Sequence, residues 1–302
     1  LLSFYKRKSI KKYKLMYYMK QMLSQIKNIF FVTDDIEKSS KEFSLFFSKE
    51  AYFKGFSNQL GVEIQIFSIG NLSINIISSF CEGLWSEKIL NFKKKRKEGL
   101  FGLELMSDVI INDYENLKKL EIPVGEIEKI TIQDLKDNIY THNSFSIDES
   151  LVSNLNITVS DNTNFSIEEE NHDPNTNIES INQVVIKTNN PDGIVNLFEK
   201  NLEIRLALDK TFKEWSGRML FFRIGGVTLE VIEEEGLNNL NEYYGIGWHS
   251  DNFTECYEDL TQKGFSFSEI RKGRKPGTLV STLNDPILGI PAILIGLDGE
   301  IS

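Results

Sequence analysis

Cysteine, histidine and proline are scarce in this sequence. Its 302 residues include 2 Cys, 3 His and 6 Pro. Cys81 and Cys256 allow one disulfide at most, and neither stands in a CxxC pair, which excludes a disulfide framework and a zinc ribbon. Any imidazole chemistry rests on His142, His172 and His249. Long apolar runs are missing too. Stretches such as Ile29–Thr33 and Pro286–Leu297 fall short of the roughly 18 residues a spanning helix needs, so no membrane partner is expected. A basic excess is also absent: the net charge of −10 argues against a nucleic-acid platform. What is present is 40% hydrophobic and 11% aromatic residues, enough to exclude wholesale disorder. The length suits about two domains.

The charge is unevenly spread. Residues 1–24 hold Lys6, Arg7, Lys8, Lys11, Lys12, Lys14 and Lys20 and no acid, so the remaining residues carry −17 against the chain's −10. This segment has no sustained apolar stretch and no small-residue cleavage site, so it makes a poor secretory signal. It reads as a disordered basic tail or upstream translated sequence, with a basic arm as the alternative. A cytoplasmic location is expected.

The pattern then repeats. Ile26–Thr33 reads as a strand, Asp34-Asp35 as a helix start, and Ile36–Glu50 as an amphipathic helix with Phe43, Phe46 and Phe47 on its apolar side. Gly61–Ile69 and Leu72–Ser78 flank Gly70-Asn71, a hairpin signal. The order recurs from Ile181–Lys187, through Asn190-Pro191 and Ile194–Leu202, to a hairpin of Gly217–Ile224 and Val227–Glu233 around Gly225-Gly226. Two further units begin at Leu100–Met106 and Tyr244–His249, with helices after Asp108 and Asn252. The strands of the second unit must come from Ile122–Val159, where Asn, Ser and Asp dilute the pattern.

A fourfold βαβββ order, with a Gly-Gly hairpin and a Glu shortly after it, resembles the vicinal-oxygen-chelate superfamily of glyoxalases, bleomycin-resistance proteins and extradiol dioxygenases. His172-Asp173-Pro174-Asn175, Ile181–Lys187 and Gly289–Gly296 look like a glyoxalase-like subgroup. The resemblance implies an α+β fold of four βαβββ units, paired into two modules whose curved mixed sheets surround clefts. The expected division is a tail at 1–24, a degenerate N-terminal module at 25–165, a connection at 166–180 and a C-terminal module at 181–302.

The resemblance also implies a divalent metal in a cleft, held by one residue from the first and one from the last strand of each unit. In the C-terminal module, Gln183 and Glu230 match. Gly245 or Tyr244 and Ile293 do not. In the N-terminal module, Asn28 and Asn75 occupy the first pair, with Phe101 or Gly102 next. The expected cofactor is therefore none, or a weakly bound divalent ion.

Hairpin register gives the neighbours of this site. A two-residue turn at Gly225-Gly226 places Arg223 opposite Thr228 and Phe221 opposite Glu230, so these four share a face with Ile232. Arg223 could clamp a carboxylate or phosphate. Glu230 reads as metal ligand, general base or ion-pair partner of Arg223. In the first unit, Ile66, Ser68, Ser73 and Asn75 share a polar, uncharged cleft face. Arg271 and Lys275, in the basic loop 271–277, are candidates to attract an anionic ligand. His249 reads as a general acid or base, or as a capping residue.

Two functions follow. One is a lyase, isomerase or dioxygenase acting on a small anionic or oxygen-rich molecule in the C-terminal cleft. The other is a metal-free sequestering protein of the bleomycin-resistance type. A purely structural role is a third. A small-molecule ligand is the expected partner, and a homodimer is the assembly considered.

Overall fold

The structure, a computed structural model, describes residues 23–70, 72–161, 178–212, 217–237 and 240–298. The basic residues 1–22 and His172 lie outside them.

The first half makes β1 (Leu23–Val32), β2 (Phe53–Ser57), β3 (Val62–Ile69), β4 (Leu72–Ser79), β5 (Gly99–Ser107), β6 (Glu128–Asp134), β7 (Ile139–Ser146) and β8 (Asn156–Asp161). These close into a barrel in the order β1-β4-β3-β2-β6-β7-β8-β5. The second half makes β9 (Ser180–Thr188), β10 (Arg205–Phe212), β11 (Gly217–Ile224), β12 (Val227–Glu233), β13 (Asn241–Ser250), β14 (Arg271–Lys272), β15 (Thr278–Leu283) and β16 (Ala292–Leu297). They form one open sheet, β10-β11-β12-β9-β13-β16-β15-β14.

The halves share one plan. The first strand of each pairs parallel with the fourth strand of its own unit, β1 with β4 and β9 with β12. It pairs antiparallel with the first strand of the next unit, β1 with β5 and β9 with β13. The result is four βαβββ units in two curved mixed sheets, as the sequence pattern implies. Turn and cap residues fix the elements locally. Gly225 and Gly226 adopt φ of 55° and 87°, which L side chains disfavour, and so make the two-residue β11–β12 turn. Asp35 accepts a hydrogen bond from the Lys38 amide (2.9 Å) to start helix α1 (Ile36–Phe47).

Helix α2 (Ser86–Lys95) joins the first two units; α3 (Ile110–Lys119) and the short α4 (Glu149–Val152) belong to the second. Helix α5 (Pro191–Val195) runs into a π-helical turn, Asn196–Asn201, and α6 (Phe253–Gln262) completes the fourth unit. No described helix is long and apolar enough to cross a membrane.

Two boundaries differ from expectation. Strand β1 begins at Leu23 rather than Ile26, because Leu23 is fully buried opposite Ser107. Helix α1 stops at Phe47 instead of Glu50, because Ser48 turns left-handed (φ 57°).

The halves share a core. Phe46 and Phe47 of α1 pack edge-on against Trp248 of β13, with ring centroids 5.5 and 5.4 Å apart. Phe46 also meets Phe265 at 5.1 Å. At the rim of this junction, Arg96 pairs with Glu242 at 3.1 Å and the Asn241 amide donates to the Val152 carbonyl (3.0 Å).

Candidate functional site

The C-terminal face carries most of the residues singled out from the sequence. The β11–β12 register is the expected one, with Arg223 opposite Thr228 and Phe221 opposite Glu230. Glu230 accepts a 2.6 Å hydrogen bond from the Gln183 amide. Burial pushes the Glu230 carboxyl above its ordinary value, and the charge of Arg274 pulls the other way.

The Arg223–Glu230 ion pair does not form. Arg223 is exposed and its guanidinium donates instead to the hydroxyl of Thr228, the residue directly across the ladder. Arg271 and Lys275 are exposed, and Arg271 donates to Thr282 Oγ1 (3.2 Å). His249 Nε2 lies 3.0 Å from Asp251 Oδ1, at the end of β13.

Register corrects the partner positions. Gln183 is opposite Gly247, two residues beyond the expected Gly245, because β13 carries bulges against β9. The residue equivalent to Glu230 stands two places beyond the cross-strand partner of the first-strand position. Thr228 faces Gln183, and Ile293 faces Gly247, so the equivalent is Ile295 rather than Ile293. A Cβ on Gly247 would meet Gln183 Cγ at 2.7 Å and Ile295 Cδ1 at 3.3 Å, so these three positions converge. Two of the four positions therefore lack a donor atom.

The first barrel is not degenerate in this sense. Asn28 is opposite Glu104, not Phe101 or Gly102. Glu104 in turn faces Thr158, which makes Ser160 the equivalent of Ile295. The register departs from simple alternation because β1 bulges at Lys27, between the pairs Ile26–Leu105 and Asn28–Glu104. Sequence gives no direct sign of a bulge. The missed signal was Glu104 itself, a lone carboxylate between Leu103 and Leu105.

Inside this barrel is a cavity of about 330 Å³. Its apolar wall is formed by Phe30, Ile64, Ile66, Trp85, Ile130 and Ile132, each at most 9% exposed. Its polar side brings together Asn28, Asn75, Glu104, His142 and Thr158. The Asn75 amide donates to Asn28 Oδ1 (3.0 Å), and the Asn28 amide donates to Glu104 Oε2. His142 Nε2 stands 3.6 Å from Glu104 Oε1. Lys27 reaches Ser160 Oγ at 3.3 Å. Ser73 lines the cavity with Ile66 and Asn75, whereas Ser68 is not in its wall.

The face is thus charged, not merely polar. Burial alone would push the Glu104 carboxyl up. The hydrogen bond and charge of His142, the charge of Lys27 and the Asn28 amide outweigh it and hold the group at about 2. The Thr158 hydroxyl, on a residue 5% exposed, has no hydrogen-bond partner among the described residues.

Neither donor set suits a transition-metal ion. Gly247 and Ile295 offer no ligand atom in the second half. The first half has one carboxylate at these positions, already bonded to Asn28, and a lysine ammonium beside it. Among the described residues, no three His, Cys, Asp or Glu side chains gather as a metal site would require.

Four βαβββ units, two to each curved sheet, define the fold of the vicinal-oxygen-chelate superfamily, and this chain has that fold. No protein-family model matches the sequence, and no curated protein matches it. A triple mutant of 4-hydroxymandelate synthase from Streptomyces coelicolor superposes with a TM-score of 0.66, covering 92% of this chain and 93% of that one at 9% identity. A hypothetical protein from Staphylococcus aureus gives 0.61 over 90% and 99% of the two chains, at 10% identity. A xylose isomerase-like TIM barrel/4-hydroxyphenylpyruvate dioxygenase fusion protein gives 0.59 at 10% identity, covering 92% of this chain and 49% of that one.

Proposed function

We propose that this chain binds a small, oxygen-bearing and partly apolar molecule inside its N-terminal barrel, without a tightly held metal ion. The observation that supports this most is the 330 Å³ cavity, apolar on one side and hydrogen-bonding on the other. Its size falls at the lower end of small-molecule sites, and a few convergent polar groups in an apolar pocket are the usual mark of one. The C-terminal face, with Gln183, Glu230 and exposed Arg223, is the secondary candidate for an anionic ligand. Two structural neighbours are a 4-hydroxymandelate synthase mutant and a 4-hydroxyphenylpyruvate dioxygenase fusion protein. Metal-dependent oxygenation in this chain would need ligands that Gly247 and Ile295 lack, so the reading favours metal-free binding.

The test is a thermal-shift screen of small carbonyl and carboxylate compounds, followed by two variants. Ile66→Trp fills the barrel and is expected to abolish any shift found. Glu230→Gln is expected to leave that shift intact. The reverse outcome would move the binding site to the C-terminal face.

A further inference from the structure

Glu104 and His142 form a pair that binding alone does not require. Their side chains are 4% and 10% exposed, and His142 presents Nε2 to the carboxylate at 3.6 Å. The other ring nitrogen, Nδ1, has no hydrogen bond to any described residue. Both residues line the same cavity, together with Thr158, the β8 residue opposite Glu104. Thr158 brings a buried hydroxyl without a partner. With Glu104 Oε1 3.6 Å from Nε2, the negative charge of the carboxylate draws the imidazole proton to that nitrogen and leaves Nδ1 bare and basic.

We propose that the barrel is a metal-independent acid–base site for carbon acids, apolar molecules with a C–H bond next to a carbonyl, an assignment that rests on the barrel being the ligand site. His142 Nδ1 takes the proton from that carbon. The C–H electron pair becomes the new C=C bond, and the carbonyl π pair moves onto oxygen as an enolate. The Thr158 hydroxyl donates to this oxygen. Glu104, a positioning residue, stabilises the imidazolium. Where the substrate carries a C=C bond conjugated with the enolate, His142 then delivers the proton to the far carbon of that system, so the net change is a shift of the double bond that consumes no co-reactant. The apolar wall suits this role, because a base and a developing charge beside Phe30, Ile66 and Trp85 are less hydrated than in open solvent.

Two measurements on the full chain test it. Nitrogen-15 NMR of histidine reads the tautomer directly and needs no variant: neutral His142 is expected as the Nε2–H form. An Nδ1–H form would overturn the proposal. The second uses 5-nitrobenzisoxazole, a generic probe for a base in an apolar cavity. Removal of its ring C–H proton breaks the N–O bond and releases a coloured nitrophenolate. Saturable turnover is expected. His142→Gln should lower kcat on the order of 100-fold, with KM changed less than about twofold. Glu104→Gln should lower kcat while leaving KM and shift the tautomer balance of His142. Unchanged kcat in His142→Gln, with KM retained and saturation abolished by Ile66→Trp, overturns the base and leaves the binding site standing. No saturation in wild type, or saturation indifferent to Ile66→Trp, overturns both.

Discussion

Glu104 is the residue with the most at stake, because it is ionised, buried and surrounded by the groups that keep it so. Its carboxyl is held down at about 2 in the folded chain, against an unfolded value of roughly 4.3. A depressed carboxyl contributes stability that is present above the unfolded value and lost as pH falls through the folded one. Glu104→Gln also leaves the Lys27 ammonium without its counter-charge, a type of loss that costs about 3–5 kcal/mol. Urea unfolding should show wild type more stable by that order at pH 7, with the gap closing between about pH 4.5 and pH 2. A gap independent of pH would mean that Glu104 is not charged in the fold. A second expectation at this scale is that protein purified after exposure to Zn²⁺, Fe²⁺, Mn²⁺ or Ni²⁺ holds well under one equivalent of metal after gel filtration. Stoichiometric metal by elemental analysis would show that the donor set has been misjudged.

Elements were legible where a turn residue pinned them. Gly225-Gly226 set the β11–β12 register to the residue, and with it the neighbours of Glu230. The register between β1 and β5 was not legible, since a bulge is a backbone event that leaves no apolar period behind. His142 was lost differently: β7 reads Ile-Tyr-Thr-His-Asn-Ser, and its exposed, polar residues hide the alternation. β7 and β6 join the sheet through β8, and the ring closes at the seam of β6 with β2, where Gly55–Asp134 and Phe56–Gln133 pair. A Cβ on Gly55 would stand 2.1 Å from the Gln133 carbonyl oxygen. Gly55→Ala should therefore part the seam, cost about 1–3 kcal/mol and weaken binding of any cavity probe. An alanine variant that binds as tightly as wild type would show that closure is not needed to form the cavity.

At the scale of the molecule, the division into four units followed from the repeat alone, but the coupling of the halves did not. The pattern of Phe43, Phe46 and Phe47 marks the apolar side of α1 but not what it packs against. In the fold, Phe43 meets Phe67 of the barrel while Phe46 turns to Trp248 and Phe265 of the second half. One helix thus ties both halves into their shared core. Phe46→Ala should cost about 3–5 kcal/mol and lower the melting of both halves together in calorimetry. Two transitions, only one of them shifted, would mean that the halves fold independently.

The two-pair seam between β2 and β6 has a consequence in time rather than in energy. The other ladders around the barrel pair at least three residues each, so this seam is where the ring is expected to open first. Amides of Phe56 and Gln133 should then exchange with deuterium well ahead of their neighbours. A guest inside would leave at the pace of that opening, so its residence time would be set by the seam and only its occupancy by the polar groups within.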